Sequence, residues 1–158
     1  QLTETPFTFV ADKRAIFEAR VRINRAGGTI GQEECVIGLT SEETGAAFMA
    51  ADGLSRAFAD GAAFVTFDGA ATWNAFLGES STFSSDLAVT TYADLTFQVL
   101  SIYYTGTEAR FYVDGVLEAT LTTNEPLTNR ITPTLFIKAG EAFGKVLHVD
   151  YAVCAFER

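Results

Sequence analysis

Along residues 17–24, apolar Phe17, Ala19, Val21 and Ile23 alternate with Glu18, Arg20, Arg22 and Asn24. A period of two puts the two sets on opposite sides of an extended chain, so the segment predicts a half-buried strand, ended by Ala26-Gly27-Gly28. Cys35, Ile37 and Leu39 alternate through a second strand, and residues 40–44 are polar enough for a loop. Residues 46–51 fit a short helical turn or a strand equally. Asp-Gly pairs recur at Asp52-Gly53, Asp60-Gly61, Asp68-Gly69 and Asp114-Gly115. Each suits a tight turn, because Asp tolerates and Gly prefers positive φ. Ala62-Ala63-Phe64-Val65-Thr66-Phe67 lies between two of these turns and reads as a strand, residues 73–77 as another apolar segment, and the Ser-rich residues 80–86 as a loop.

Residues 96–104 are rich in β-formers. After a Thr105-Gly106-Thr107-Glu108 turn, the chain Ala109-Arg110-Phe111-Tyr112-Val113, Asp114-Gly115, Val116-Leu117-Glu118-Ala119-Thr120-Leu121 predicts a hairpin closed by a type I′ turn. Pro133 marks the start of a strand over 134–138, since proline lacks the donor an inner ladder position needs. Residues 146–156 close the chain as a long strand, with Leu147, Val149, Tyr151 and Val153 predicted on one face and His148, Asp150, Ala152 and Cys154 on the other. Strands and turn signals at roughly ten-residue spacing, with no helix of length required, predict an all-β chain folded as a two-sheet antiparallel β-sandwich or barrel.

Composition narrows this picture. At 158 residues the chain is the size of one domain, residues 11–158, with residues 1–10 as an extended arm or a first strand. Apolar residues make up 48% and Phe occurs 14 times, enough burial to offset chain entropy without metal or disulfide staples. The net charge of −9, with no cluster of Lys and Arg, excludes nucleic acid and membrane surfaces as partners. No apolar run reaches the roughly 20 residues of a spanning helix, and Gln1-Leu2-Thr3-Glu4-Thr5 lacks the basic start of a signal peptide. Cys35 and Cys154 fall outside any metal-ligand spacing and read as buried thiols, a disulfide between them being the open alternative.

The order of segments, from Phe17-Glu18-Ala19-Arg20-Val21-Arg22 through Val36-Ile37-Gly38-Leu39 and the Phe111-Tyr112-Val113-Asp114-Gly115 hairpin to Leu147-His148-Val149-Asp150-Tyr151, resembles the concanavalin A-like lectin/glucanase superfamily. The aromatic, Val, Asp-Gly hairpin and the closing Val-Asp-Tyr strand are typical of its LamG-type jelly rolls. In its Ala/Thr/Phe-rich, Lys-poor texture the chain also looks like accessory domains of tailed-phage virions. That second resemblance implies a non-catalytic capsid decoration (cement) protein, a homotrimer seated on the major capsid protein at the virion surface, with Thr5, Pro6 and Phe7 in an arm reaching a neighbour. Residue 5, preceding proline, avoids the helical region, which suits an arm. The alternative is an extracellular carbohydrate-binding module, a fibre tip or a domain of a bacterial glycan-active protein.

Chemistry is expected to be sparse. Glucanases of the superfamily carry a Glu-x-Asp-x-x-Glu type run that this sequence lacks, and Glu33-Glu34 and Glu42-Glu43, adjacent in sequence, would point to opposite faces of a strand and read as solvated loop acids. Gly53-Leu54-Ser55-Arg56-Ala57 misses the last Gly of a nucleophile elbow, and His148, beside Asp150, is the sole His. The chain is therefore expected to be no enzyme. Sugar binding needs an exposed aromatic beside polar groups, for which Trp73 with Asn74 or the Tyr103-Tyr104 pair would serve, Tyr104 being the tyrosine assigned to the ligand. One of the two tyrosines must face the core, and core packing competes for Trp73 as well. No cofactor is expected; were calcium bound, Asp52, Asp60 and Asp68 would supply loop oxygens, though each Asp before Gly is explained by its turn.

Overall fold

The computed structural model describes residues 7–24, 28–29, 31–41 and 58–157. The described strands are β1 (Ala15–Asn24), β2 (Glu33–Thr40), β3 (Gly61–Thr66), β4 (Thr72–Glu79), β5 (Thr82–Thr91), β6 (Gln98–Tyr104), β7 (Ala109–Val113), β8 (Val116–Leu121), β9 (Thr132–Ala139) and β10 (Val146–Phe156). They form two antiparallel five-stranded sheets, a first ordered β10-β1-β6-β7-β8 and a second ordered β5-β4-β3-β2-β9. This is the predicted β-sandwich.

The core lies between the sheets, where the alternating positions of β1 (Phe17, Ala19, Val21, Ile23) meet Ile37, Leu39, Phe64 and Leu77 of the second sheet. Phe64 joins the layers: its ring stands edge-on to Phe111 of the first sheet at 5.3 Å and to Trp73 at 6.2 Å. Such edge-to-face pairs add to burial because the positive ring edge meets the negative ring face.

The β7–β8 hairpin forms as predicted, with φ of 50° at Asp114 and 81° at Gly115, the two left-handed residues of a type I′ turn. Asp114 Oδ1 also accepts the Val99 N–H at 2.8 Å, tying the turn to β6. Pro133 sits opposite Leu39 in β9, an edge strand, the place in a sheet that tolerates a residue without an N–H.

Three expectations are corrected. The Ser-rich segment 80–86 is a turn at Ser80 and Ser81, both with positive φ, leading into edge strand β5; an exposed edge strand needs no apolar alternation, so composition hid it. Glu33 and Glu34 are not solvated loop acids but lie in β2, 0% and 2% exposed. Each has a lysine: Glu34 Oε2 meets Lys138 Nζ at 3.0 Å, and Glu33 Oε2 meets Lys145 Nζ at 3.3 Å. Finally, β10 does not keep one alternation. Val149 pairs with Val21 and Tyr151 with Arg20, leaving Asp150 as an extra residue. Before this bulge Leu147 packs on the core; after it Cys154 and Phe156 do, so the inward face changes from odd to even positions.

Residues 1–6 and 42–57, with the proposed arm positions Thr5 and Pro6, Glu42-Glu43, Asp52 and the Gly53–Ala57 segment, lie outside the described residues. Phe7 is described and packs within its own chain, bridging to Ile131 and stacking on Phe156 at 4.2 Å.

Candidate functional site

The two sheets have different outer faces. On the second sheet, β2 and β3 are buried on both sides. Its outer face carries Val36, Ala63, Val65 and Phe76 beneath Phe58, with Phe67, Phe83 and Phe136 packed around them. Phe58 meets Phe83 edge-on at 5.4 Å and Phe67 meets Phe76 at 5.8 Å. Val36, Phe58, Ala63, Val65 and Phe76 are buried there and Phe67, Phe83 and Phe136 half-buried, so the described residues form a second, apolar layer.

The first sheet's outer face is open and polar, and register arranges it in rungs. Tyr103 lies opposite Ile16 and Arg110, and Ile16 opposite Ala155. The next rung is Tyr112, Ser101, Glu18 and Val153. The Glu18 carboxylate accepts the Tyr151 hydroxyl at 2.8 Å on one oxygen and the Ser101 hydroxyl at 2.8 Å on the other. The hydrogen bond to Glu18, helped by partial desolvation, lifts the Tyr151 hydroxyl above its ordinary pKa, so it keeps its proton.

Further along, Arg20 pairs with Asp150 at 2.6 Å, and its guanidinium lies 4.4 Å from the centre of the Phe97 ring. Arg22 lies 4.9 Å from the same ring and opposite His148 across the β1–β10 ladder. Stacking on the ring face holds both cations without consuming all their N–H donors.

At the Tyr103 end is a hollow of about 310 Å³, lined by Arg14, Ala15, Ile16, Tyr103, Ala155, Phe156 and Glu157. Its floor is aromatic and aliphatic, while Arg14 and Glu157 form a charged rim. Reciprocal bonds fix that rim: Arg14 N–H donates to Glu157 Oε2 at 3.1 Å and Glu157 N–H to Arg14 O at 2.9 Å. A pyranose has one apolar C–H face and a girdle of hydroxyls, and an aromatic floor with a polar rim matches both.

The residues singled out from sequence fall elsewhere. Trp73 is 1% exposed, its Nε1–H reaching Gln98 Oε1 at 3.3 Å, so no ring face is left for a sugar. Asn74 is buried too: its Nδ2 donates to Val65 O and its Oδ1 accepts the Ala88 N–H at 2.8 Å, pinning the irregular stretch of β5. Tyr104, assigned to the ligand, faces the core at 1% exposure and stacks on Phe9. Its neighbour Tyr103 holds the open position. The choice between them was legible in principle, since Leu100, Ile102 and Tyr104 share a parity.

Asp60 is buried and spends Oδ1 on the Ser80 N–H at 2.6 Å and the Asn129 side-chain amide at 2.7 Å. Asp68 lies beside Gly140, where a Cβ would meet its carboxylate. Among the described residues no group of three or more His, Cys, Asp or Glu is placed to hold a metal ion. His148 is half-buried on the open face, its Nε2 without a hydrogen-bond partner among the described residues. Both cysteines are free thiols. No helix among the described residues is long and apolar enough to cross a membrane.

No family model and none of the curated proteins matches the sequence. Solved structures do match in fold. The metal-free form of the Emp46p carbohydrate recognition domain aligns with a TM-score of 0.62 at 12% identity, over 94% of this chain and 72% of its own. Alginate lyase AlyC3 in complex with dimannuronate gives a TM-score of 0.57 at 13% identity, over 96% and 67%. AlgAT5, an alginate lyase from polysaccharide lyase family 7, gives 0.51 at 13%, over 94% and 61%, so the chain spans about three fifths of that enzyme.

These likenesses establish a jelly-roll β-sandwich of the concanavalin A-like kind, as the first resemblance implied. They overturn the expected virion decoration protein, because the folds it resembles belong to alginate lyases and a carbohydrate recognition domain. The homotrimer and the capsid partner have no support in them. The expectation that the chain is no enzyme falls with the same finding.

Proposed function

We propose that this domain engages a carbohydrate chain on the outer face of its first sheet, with Tyr103 as the stacking platform. The observation that carries this reading is the hollow itself, the place on the open face where an aromatic ring, an aliphatic neighbour and a charged rim converge. The apolar layer over the second sheet leaves the first with the polar outer face. Beyond the hollow, Glu18, Ser101, Tyr151 and Arg20 continue as donors and acceptors along the strands, supporting an extended ligand over a single sugar. The likeness to a carbohydrate recognition domain and to a lyase in complex with dimannuronate supports the ligand class.

The test is a glycan array followed by calorimetric titration of the best ligand, comparing the native chain with Tyr103→Ala. Loss of at least about tenfold in affinity, roughly 1.4 kcal/mol, in a variant that keeps its thermal transition is the expected result. An array without hits, or equal binding by Tyr103→Ala, would sink the proposal.

A second reading, cleavage of the bound chain, is favoured by the protonated Tyr151 hydroxyl lying against Glu18 with Arg20 alongside, a proton donor and a cation in one patch. Incubation with alginate and neutral polysaccharides, followed by detection of new reducing or unsaturated ends, tests it. Products lost in Tyr151→Phe would support it, and products equally abundant with that variant would exclude Tyr151 as the donor.

A further inference from the structure

At one end of the sandwich Lys145 folds back into the protein, its side chain only 1% exposed. Around its ammonium stand Glu141 Oε1, in direct contact, Thr29 O at 3.0 Å and Glu33 Oε2 at 3.3 Å. Glu33 is 0% exposed, and Oε2 is the oxygen it leaves without a hydrogen bond, since Oε1 accepts the Gly31 N–H. Glu141 Oε1 in turn accepts the Thr29 N–H at 2.7 Å. Gly28 closes the cradle: a Cβ there would overlap Glu141 Oε1 and lie 2.9 Å from Lys145 Nζ.

We propose that this cradle is a monovalent-cation site filled by the protein's own lysine, and that it accepts a free ammonium-type or alkali cation once the side chain is shortened. Two carboxylates and a carbonyl around one buried cation are hard oxygen donors, as alkali and ammonium ions require. Calcium takes six to eight oxygens, more than the three that the described residues bring to the ammonium, which disfavours a divalent ion here. The tethered charge joins the residues ahead of β2 to the β9–β10 connection, so that junction depends on no dissociable ion.

The experiment is thermal unfolding of Lys145→Ala in ammonium, methylammonium, potassium, calcium and choline chlorides at equal ionic strength and pH. The variant is expected to melt well below the native chain in choline and to recover by about 5 °C or more in at least one small monovalent cation, as ligand binding to the folded state requires. The native chain should show no such cation-specific gain. Lys145→Met, which fills the space without charge, should gain nothing, and Lys145→Ala with Glu33→Gln should lose the gain. Should Lys145→Ala not fold in choline, its refolding yield from urea in each salt becomes the readout. Equal recovery in choline, recovery of Lys145→Met, preference for calcium, or a Lys145→Ala chain as stable as native in choline would each overturn the proposal.

Discussion

Tyr103 and Tyr104 leave β6 on opposite sides of the first sheet, the former onto the open face and the latter into the core, where its ring stacks on Phe9 with centroids 4.5 Å apart. Substitution by alanine should therefore separate function from folding. Tyr104→Ala is expected to cost about 3–5 kcal/mol, as truncation of a buried ring does. Tyr103→Ala should stay within about 0.5 kcal/mol of native while losing glycan. Urea denaturation of both variants, monitored by Trp73 fluorescence, reads the difference.

The Tyr104 hydroxyl also marks a pH limit. Burial, with the charges of Glu125 and Asp12, pushes it up to about 12 from an ordinary value near 10. Between those values the unfolded chain has released the proton and the folded one has kept it, so stability falls with rising pH. Its contribution is complete below pH ~10 and lost as pH climbs through ~12. Chemical denaturation from neutral pH to ~12 should show this decline, and Tyr104→Phe should flatten it.

Two glycines differ sharply in what they permit. A Cβ at Gly38 would stand 2.3 Å from Ala62 O and 2.6 Å from Ala63 Cα, backbone atoms of the neighbouring strand that cannot step aside. Gly38→Ala should reach or exceed the top of the ~1–3 kcal/mol range of overpacking. At Gly69 nothing lies within 4 Å, but φ is +88°, so Gly69→Ala should cost only the ~1 kcal/mol of a left-handed alanine. Comparable loss at both positions would contradict this account.

Thiol chemistry offers an independent check on the core. Cys35 is wholly buried and its thiol is pushed far above its usual range, first by desolvation; Cys154, half-buried in edge strand β10, is raised by desolvation alone. Under native conditions a thiol reagent should label Cys154 slowly and spare Cys35, and denaturant should release both. An oxidised mass two hydrogens lighter, denoting a disulfide, would refute the packing.

Much of the fold was legible because the strongest signals are local. The β7–β8 hairpin needs only Asp114-Gly115 between alternating segments, and β1 declares itself by period two. What escaped depends on partners distant in sequence. The burial of Glu33 and Glu34 rests on Lys145 and Lys138, more than a hundred residues away, and no local pattern announces such pairs. Strand β5 escaped because an edge strand carries no burial pattern, whereas Tyr103 was within reach, since Tyr104 shares the parity of the apolar Leu100 and Ile102 and leaves Tyr103 for the other face.

The extra residue at Asp150 makes β10 a strand written in two reading frames. Ahead of it the odd positions address the core; beyond it the even positions do. A substitution in β10 is thus a local event, absorbed by one site. Removing a single residue elsewhere in the strand is not, because the part on one side of the loss would have to present its polar side inward while the other stayed in register. Losing Asp150 itself would instead merge the two frames into one unbroken alternation opposite β1. For this segment the spacing of the core-facing residues is specified on each side of Asp150, and Asp150 is a position at which the count can change by one without turning a core residue outward.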